Sequence, residues 1–133
     1  MAGCQELAAH LFDLWESGDS GKVVALMHPD VEISTESGAI LTRPELEAAI
    51  RAAAGDTVGT KRVAHRFHPV DESRIAVEGR ILAPTLGGGF KDYPAAWALT
   101  FRDGLLYRSW SERSLAGAIA RLSGETQGNP GKA

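Results

Sequence analysis

A chain of 133 residues with one cysteine cannot close a disulfide on itself. Cys4 is a lone thiol, and a reducing, cytoplasmic setting is the expectation. The start, MAGCQELAAHLF, has neither a basic n-region nor an unbroken apolar core, so no signal peptide is expected. No window approaches the ~20 apolar residues of a membrane span, which excludes a helical membrane protein. Basic charge is also scarce. Fourteen Lys and Arg stand against 17 Asp and Glu, the basic residues are scattered, and the net charge is −3. Nucleic-acid binding needs a basic face, so no nucleic-acid partner is expected. The four histidines show no metal-ligand spacing, and no metal or other cofactor is expected. The triple glycine Gly87–Gly89 is followed by neither a helix nor a Lys-Ser/Thr pair. It reads as a hairpin loop and not as a phosphate cradle.

What remains is an ordinary globular composition, 44% hydrophobic and 23% charged, with length for one domain. The first half has helical periodicity. Leu7, Leu11, Leu14 and Trp15 recur along Gln5–Glu16 at the spacing of one helix face. A second helix is predicted over Gly21–Met27, capped by Asp19 or Ser20. Pro29 disfavours helix at His28, and VEIST alternates as a short strand, Val31–Thr35. In TRPELEAAIRAAAGD, Thr42 is a candidate N-cap, Pro44 falls in the first turn, and Gly55 is a candidate stop.

Near residue 60 the period changes from 3.6 to 2. Lys61–Val70, Ser73–Ala83, Phe90–Phe101 and Leu105–Arg113 are predicted strands, joined by VDES, PTLGGG and RDG. A short helix, Leu115–Leu122, closes a single domain over residues 1–122. The remaining stretch, 123–133, is polar and rich in Gly and Pro and is expected to be disordered. The pattern predicts an α+β fold in which a curved, mostly antiparallel sheet wraps around the N-terminal helices. Apolar residues on both strand faces, Ile75, Val77, Trp97, Leu99 and Phe101 on one and Ala76, Leu82, Ala96 and Ala98 on the other, predict a homodimer through the open face.

The passages LFDLWESGDSGKVVALMHPDVEIS, LTRPELEAAIRAAAG, SRIAVEGRI and FRDGLLYRSW resemble the nuclear transport factor 2-like superfamily. The likeness is to its SnoaL-like, ketosteroid-isomerase-like branch and spans Gln5–Leu122. It implies a cone-shaped α+β barrel, a cystatin-like roll, with a central cavity for a small apolar molecule. Residue by residue, it does not carry over the isomerase apparatus. The first-helix tyrosine position falls on Leu11, the aspartate base on Thr35, and the third acid near Trp97 or Ala98. Nor does it carry over that of limonene-epoxide hydrolase. No Arg-x-Asp occurs, and the last-strand aspartate position falls on Ser109.

Candidate groups follow. Histidine is the residue type best suited to act as a general base near neutral pH, and His65 is the candidate. Strict alternation in LLYRSWSERS puts Tyr107 and Ser109 on one face, where both could meet a ligand oxygen. His65, Tyr107 and Ser109 are therefore the candidate catalytic residues. Leu11, Trp15, Thr35 and Trp97 are the candidate cavity-lining ones. Two classes of function stay open. One is a polyketide-cyclase-, isomerase- or hydrolase-like enzyme acting on an apolar oxygenated ligand. The other is a non-catalytic ligand-binding or dimerisation module. Convergence of His65, Tyr107 and Ser109 would favour the first.

Overall fold

The computed structural model describes residues 3–17, 20–34, 38–52, 61–85 and 87–127. In chain order the elements are α1 (Cys4–Ser17), α2 (Ser20–Ala25), β1 (Met27–Ser34), β2 (Ile40–Thr42), α3 (Arg43–Ala52), β3 (Lys61–Pro69), β4 (Arg74–Pro84), β5 (Phe90–Arg102), β6 (Leu105–Glu112) and α4 (Leu115–Gln127). The expected α+β class and the switch of period near residue 60 both hold. One curved, open sheet has the order β2-β1-β6-β5-β4-β3. All its pairings are antiparallel except β1 with β6. The short strand β2 is not expected from the sequence, the second helix ends at Ala25 and not at Met27, and two further boundaries differ. β1 starts at Met27, so His28 and Pro29 lie in a strand, with an irregular register between Met27 and Glu32. The last helix continues past Leu122 to Gln127, through part of the segment expected to be disordered.

Local signals account for the element ends. Glu45 reaches back to accept the Thr42 backbone N–H at 2.8 Å, one half of a capping box for α3. Ser114 Oγ accepts the Gly117 N–H at 3.0 Å at the start of α4. Asp103 (φ 57°) and Gly104 (φ 75°) adopt the left-handed conformations of the tight β5–β6 turn, as the RDG signal implied.

Alternation sorts the sheet into two phases. Ile75, Val77 and Ile81 of β4 share the inner one with Ala95, Trp97 and Leu99 of β5, and they pack with Ala8, Leu11 and Phe12 of α1 in the main core. Phe12 bridges Trp97, at 5.0 Å between ring centroids, and Phe67, at 6.5 Å. Ala76, Ala96 and Ala98 hold the outer phase and form a second cluster with Ala118 and Leu122 of α4. The short alanine side chains let α4 lie close to the sheet. The apolar outer patch offered for a second subunit is therefore covered by the chain's own last helix. Beyond α4, β3–β5 carry the cross-strand pairs Arg66–Glu78 at 3.7 Å and Arg80–Asp92 at 2.6 Å. Such exposed pairs contribute at most about 1 kcal/mol each.

Two bulges break the alternation. In β3, Ala64 pairs with Gly79 and Arg66 with Glu78, so His65 is an extra residue. In β6, Arg108 pairs with Thr100 and Leu106 with Phe101, so Tyr107 is extra. The β3 bulge depends on a glycine. A Cβ on Gly79 would fall 1.8 Å from the Val63 carbonyl oxygen, a backbone atom that cannot turn away.

Gly79→Ala should accordingly cost about 3 kcal/mol, and a melting experiment should show Tm lower by roughly 10 °C. An unchanged Tm would mean that β3 does not approach β4 in this way. Leu122→Asp should undock α4 and bare the alanine patch. Light scattering should then give the 14.1 kDa monomer for the parent chain and a larger species for the variant. A parent dimer of unchanged mass in the variant would place the interface elsewhere.

Candidate functional site

The candidate site is the inner phase of the sheet. Most of its central positions are apolar and sealed. Leu11 and Trp97 are 1% and 2% exposed and serve as core, with Trp97 wedged against Phe12. Around this core pack the partly buried Leu14, Ile33, Leu46, Ala64, Ala83 and Tyr93. They come from α1, β1, α3, β3, β4 and β5. The Trp15 side chain and Thr35 lie outside the described residues.

Polar groups on this phase are few. Ser109 stands between Ile33 of β1 and Leu99 of β5 in register, and is 3% exposed. Its hydroxyl makes no hydrogen bond among the described residues. It is also not sealed off in the way of Thr100 Oγ1, which is fully buried without a partner on the outer phase. Ser109 is thus a polar point on an apolar wall. Ser111, two residues on, shares its phase and is half-buried.

The three candidate catalytic residues do not converge. His65, at the β3 bulge, is exposed. β3 and β6 are separated by β5 and β4, which puts His65 at least about 14 Å from Ser109, the width of three strand spacings. Strict alternation placed Tyr107 beside Ser109, but the extra residue in β6 shifts the phase. Tyr107 instead packs with Arg102, Arg108 and His28. The sequence offers no direct sign of this, because a bulge adds no residue type of its own.

Glu112 and Trp110, at the end of β6, serve structure. Arg121 of α4 pairs with Glu112 at 3.0 Å and lies 5.8 Å from the Trp110 ring. At the far end of the sheet, a surface depression of about 410 Å³ lies between the start of α1 and the β3–β4 turn. Cys4 lines it and donates its thiol proton to the Asp71 carbonyl at 3.2 Å. Burial, reinforced by the Asp71 charge, pushes the thiol pKa up, which disfavours the thiolate. Among the described residues no cluster of His, Cys, Asp or Glu could hold a metal.

The same turn anchors α4. The Asp71 carboxylate accepts the backbone N–H groups of Ser73 and Arg74, both at 2.9 Å, and binds the Arg74 guanidinium. Arg74 Nη1 in turn donates to the Leu122 carbonyl of α4 at 2.9 Å. Hydrogen bonding from Arg74 leads the causes that hold Asp71 below its ordinary value of 3.8.

Comparison with known proteins gives the following. A family model described as "SnoaL-like domain" matches residues 8–109. A comparison with curated proteins finds no match. Solved structures of similar fold include an NTF2-like protein of unknown function from Burkholderia pseudomallei (17% identity, TM-score 0.72, 90% of this chain and 97% of that one). A putative polyketide cyclase from Pseudomonas putida is 18% identical, with TM-score 0.70 over 87% and 95%. RV0760c from Mycobacterium tuberculosis, solved in complex with estradiol-17β-hemisuccinate, is 14% identical, with TM-score 0.67 over 84% and 94%. At these identities the likeness is one of fold.

A folded pKa below the unfolded one means that the Asp71 contribution is complete above the unfolded value and is lost as pH falls through the folded one. Asp71→Asn should therefore be less stable than the parent at pH 7. Acid unfolding curves should show the difference closing below pH 3.8. A gap of constant size down to pH 2 would show that the carboxylate charge is not what matters.

Proposed function

Because the chain belongs to the SnoaL-like domain family of the nuclear transport factor 2-like superfamily, we propose that it is a small-molecule-binding protein. It holds an apolar, oxygen-bearing ligand against the inner face of the sheet, with Ser109 as the polar anchor. The observation that carries this reading is the Ser109 hydroxyl itself, 3% exposed on an apolar wall and without a hydrogen bond among the described residues. A ligand carbonyl or hydroxyl supplies the missing partner, while ligand carbons cover the partly buried Leu14, Ile33, Leu46 and Tyr93. Leu11 and Trp97 form the floor beneath it. The steroid ester carried by RV0760c is a molecule of that chemical kind.

A catalytic role, of the cyclase, isomerase or hydrolase type, is the second reading. The printed description of the Pseudomonas relative as a putative polyketide cyclase supports it. General acid–base catalysis needs a titrating group within hydrogen-bond reach of the reacting atom. His65 is exposed three strands away, and Tyr107 is stacked on arginines, so Ser109 has neither as a proton-transfer partner. The geometry thus supports binding over turnover. A homodimer through the outer face would compete with α4 for the same alanine patch.

Tryptophan fluorescence titration with an oxygenated polycycle, such as a steroid ketone, and with a hydrocarbon of equal size tests the reading. The ketone should bind the parent chain, and Ser109→Ala should weaken it about five- to tenfold, the worth of one hydrogen bond. The hydrocarbon should bind both forms alike. Equal ketone affinity in both forms would remove the anchor role. Absence of binding by either compound would remove the pocket reading altogether.

A further inference from the structure

The outer corner of the sheet, where β6 leaves the β5–β6 turn, carries a cluster that the inner-face reading does not use. Arg102 and Arg108 bring their guanidinium carbons to 4.0 and 3.9 Å from the centroid of the Tyr107 ring. Both cations thus share one ring. The two cations are not equivalent. Arg108 is spent: Nη1 donates to the carbonyls of Asp30 at 3.0 Å and Tyr107 at 2.9 Å, and Nε lies 3.6 Å from Glu32 Oε1. Its Nη2 also donates to the Tyr107 hydroxyl at 3.3 Å. That hydroxyl is an acceptor there, and its own proton is left to donate elsewhere.

Arg102 is exposed and has no carboxylate within ion-pair reach among the described residues, in a chain with more acids than bases. The neighbouring Asp103 carboxylate lies 3.8 Å from His28 Nε2 instead. His28, edge-on to the Tyr107 ring at 5.1 Å, accepts the Asp30 N–H at Nδ1, so its remaining nitrogen is turned to Asp103. Every cation at this corner except Arg102 has an acid partner. The ring contact holds its guanidinium beside Tyr107, and among the described residues its N–H donors have no acceptor, next to a phenol proton that also has none.

We propose that Arg102 and Tyr107, backed by Arg108, form an oxyanion-binding site on the outer face of the sheet that takes a carboxylate or phosphate group. The planar fork of Arg102 suits two oxygens of one anion, and Tyr107 donates to the same group. A second guanidinium on the same ring adds positive potential without competing for the ligand. The site lies on the phase opposite to Ser109, so its occupation does not require an occupied inner face.

The test is an NMR titration of the full-length, 15N-labelled chain, following the arginine Nε–Hε and the Tyr107 ring signals. Sodium phosphate and sodium acetate are added separately, at ionic strength held constant with sodium chloride. The Arg102 signal should shift and saturate at roughly millimolar anion, while chloride alone should give no saturating shift. Saturation by both anions supports a general oxyanion site; saturation by one supports the site and identifies its source as phosphate or carboxylate. Arg102→Gln, at an exposed position, should weaken anion binding read from the Tyr107 ring signals at least about tenfold, and Tyr107→Phe should weaken binding read from the Arg102 Nε–Hε signal about fivefold. Arg102→Lys, which keeps the charge and loses the fork, should fall between the parent and Arg102→Gln. No saturating shift with either anion, or one of equal midpoint in Arg102→Gln, overturns the proposal.

Discussion

A carbonyl oxygen of Val63 occupies the place where a side chain at position 79 would begin. Only glycine allows that approach, and the approach is what admits His65 as an extra residue in β3. A bulge bends its strand and raises the local twist. With a second bulge at Tyr107 in β6, the sheet is curved at two of its strands. The curvature gives the sheet a concave phase for α1 and a convex phase for α4, and the rest of the architecture divides along that line.

On the concave side large apolar side chains, Trp97, Phe12 and Leu11 among them, fill the centre, and polarity is confined to single points such as Ser109. A hydroxyl in that setting discriminates between ligands. It adds little to a fully apolar molecule, and one net hydrogen bond to a molecule with a well-placed oxygen. On the convex side the sheet presents alanine, and a helix takes the space. The helix is tied at two adjacent positions, by Arg121 on Glu112 and, through the Leu122 carbonyl, by Arg74, which the Asp71 carboxylate aims. Packing supplies the contact, and these charged ties select where along the sheet the helix lies.

The serine, the tyrosine and the two arginines that a reader of LLYRSWSERS and FRDG would send to one pocket, Ser109, Tyr107, Arg102 and Arg108, go to different places. Ser109 keeps its inward phase. Tyr107, two residues away, joins Arg102 and Arg108 on the outer corner, because one extra residue between paired positions reverses the phase. Polar groups that look contiguous in the chain serve opposite faces of the sheet. The inner face can then accept an apolar body, while the outer corner presents cationic and phenolic donors to water.

Much of this was legible in the chain itself. The change of period near residue 60 separates helices from strands, because 3.6 and 2 are properties of local backbone geometry. Thr42 with Glu45, and Asp103 with Gly104, mark an element end and a turn through bonds and dihedral angles that span only a few residues. The inward set Ile75, Val77 and Ile81 follows from alternation within one uninterrupted strand. The family likeness rested on the order of such elements, and it held. Tertiary structure alone decided the rest: the parallel pairing of β1 with β6, the bulges at His65 and Tyr107, and the covering of Ala76, Ala96 and Ala98 by α4. Each depends on which backbone lies alongside, and residues far apart in sequence supply that neighbour. Alternation predicts which residues share a face only until a partner strand forces one more residue into the same length.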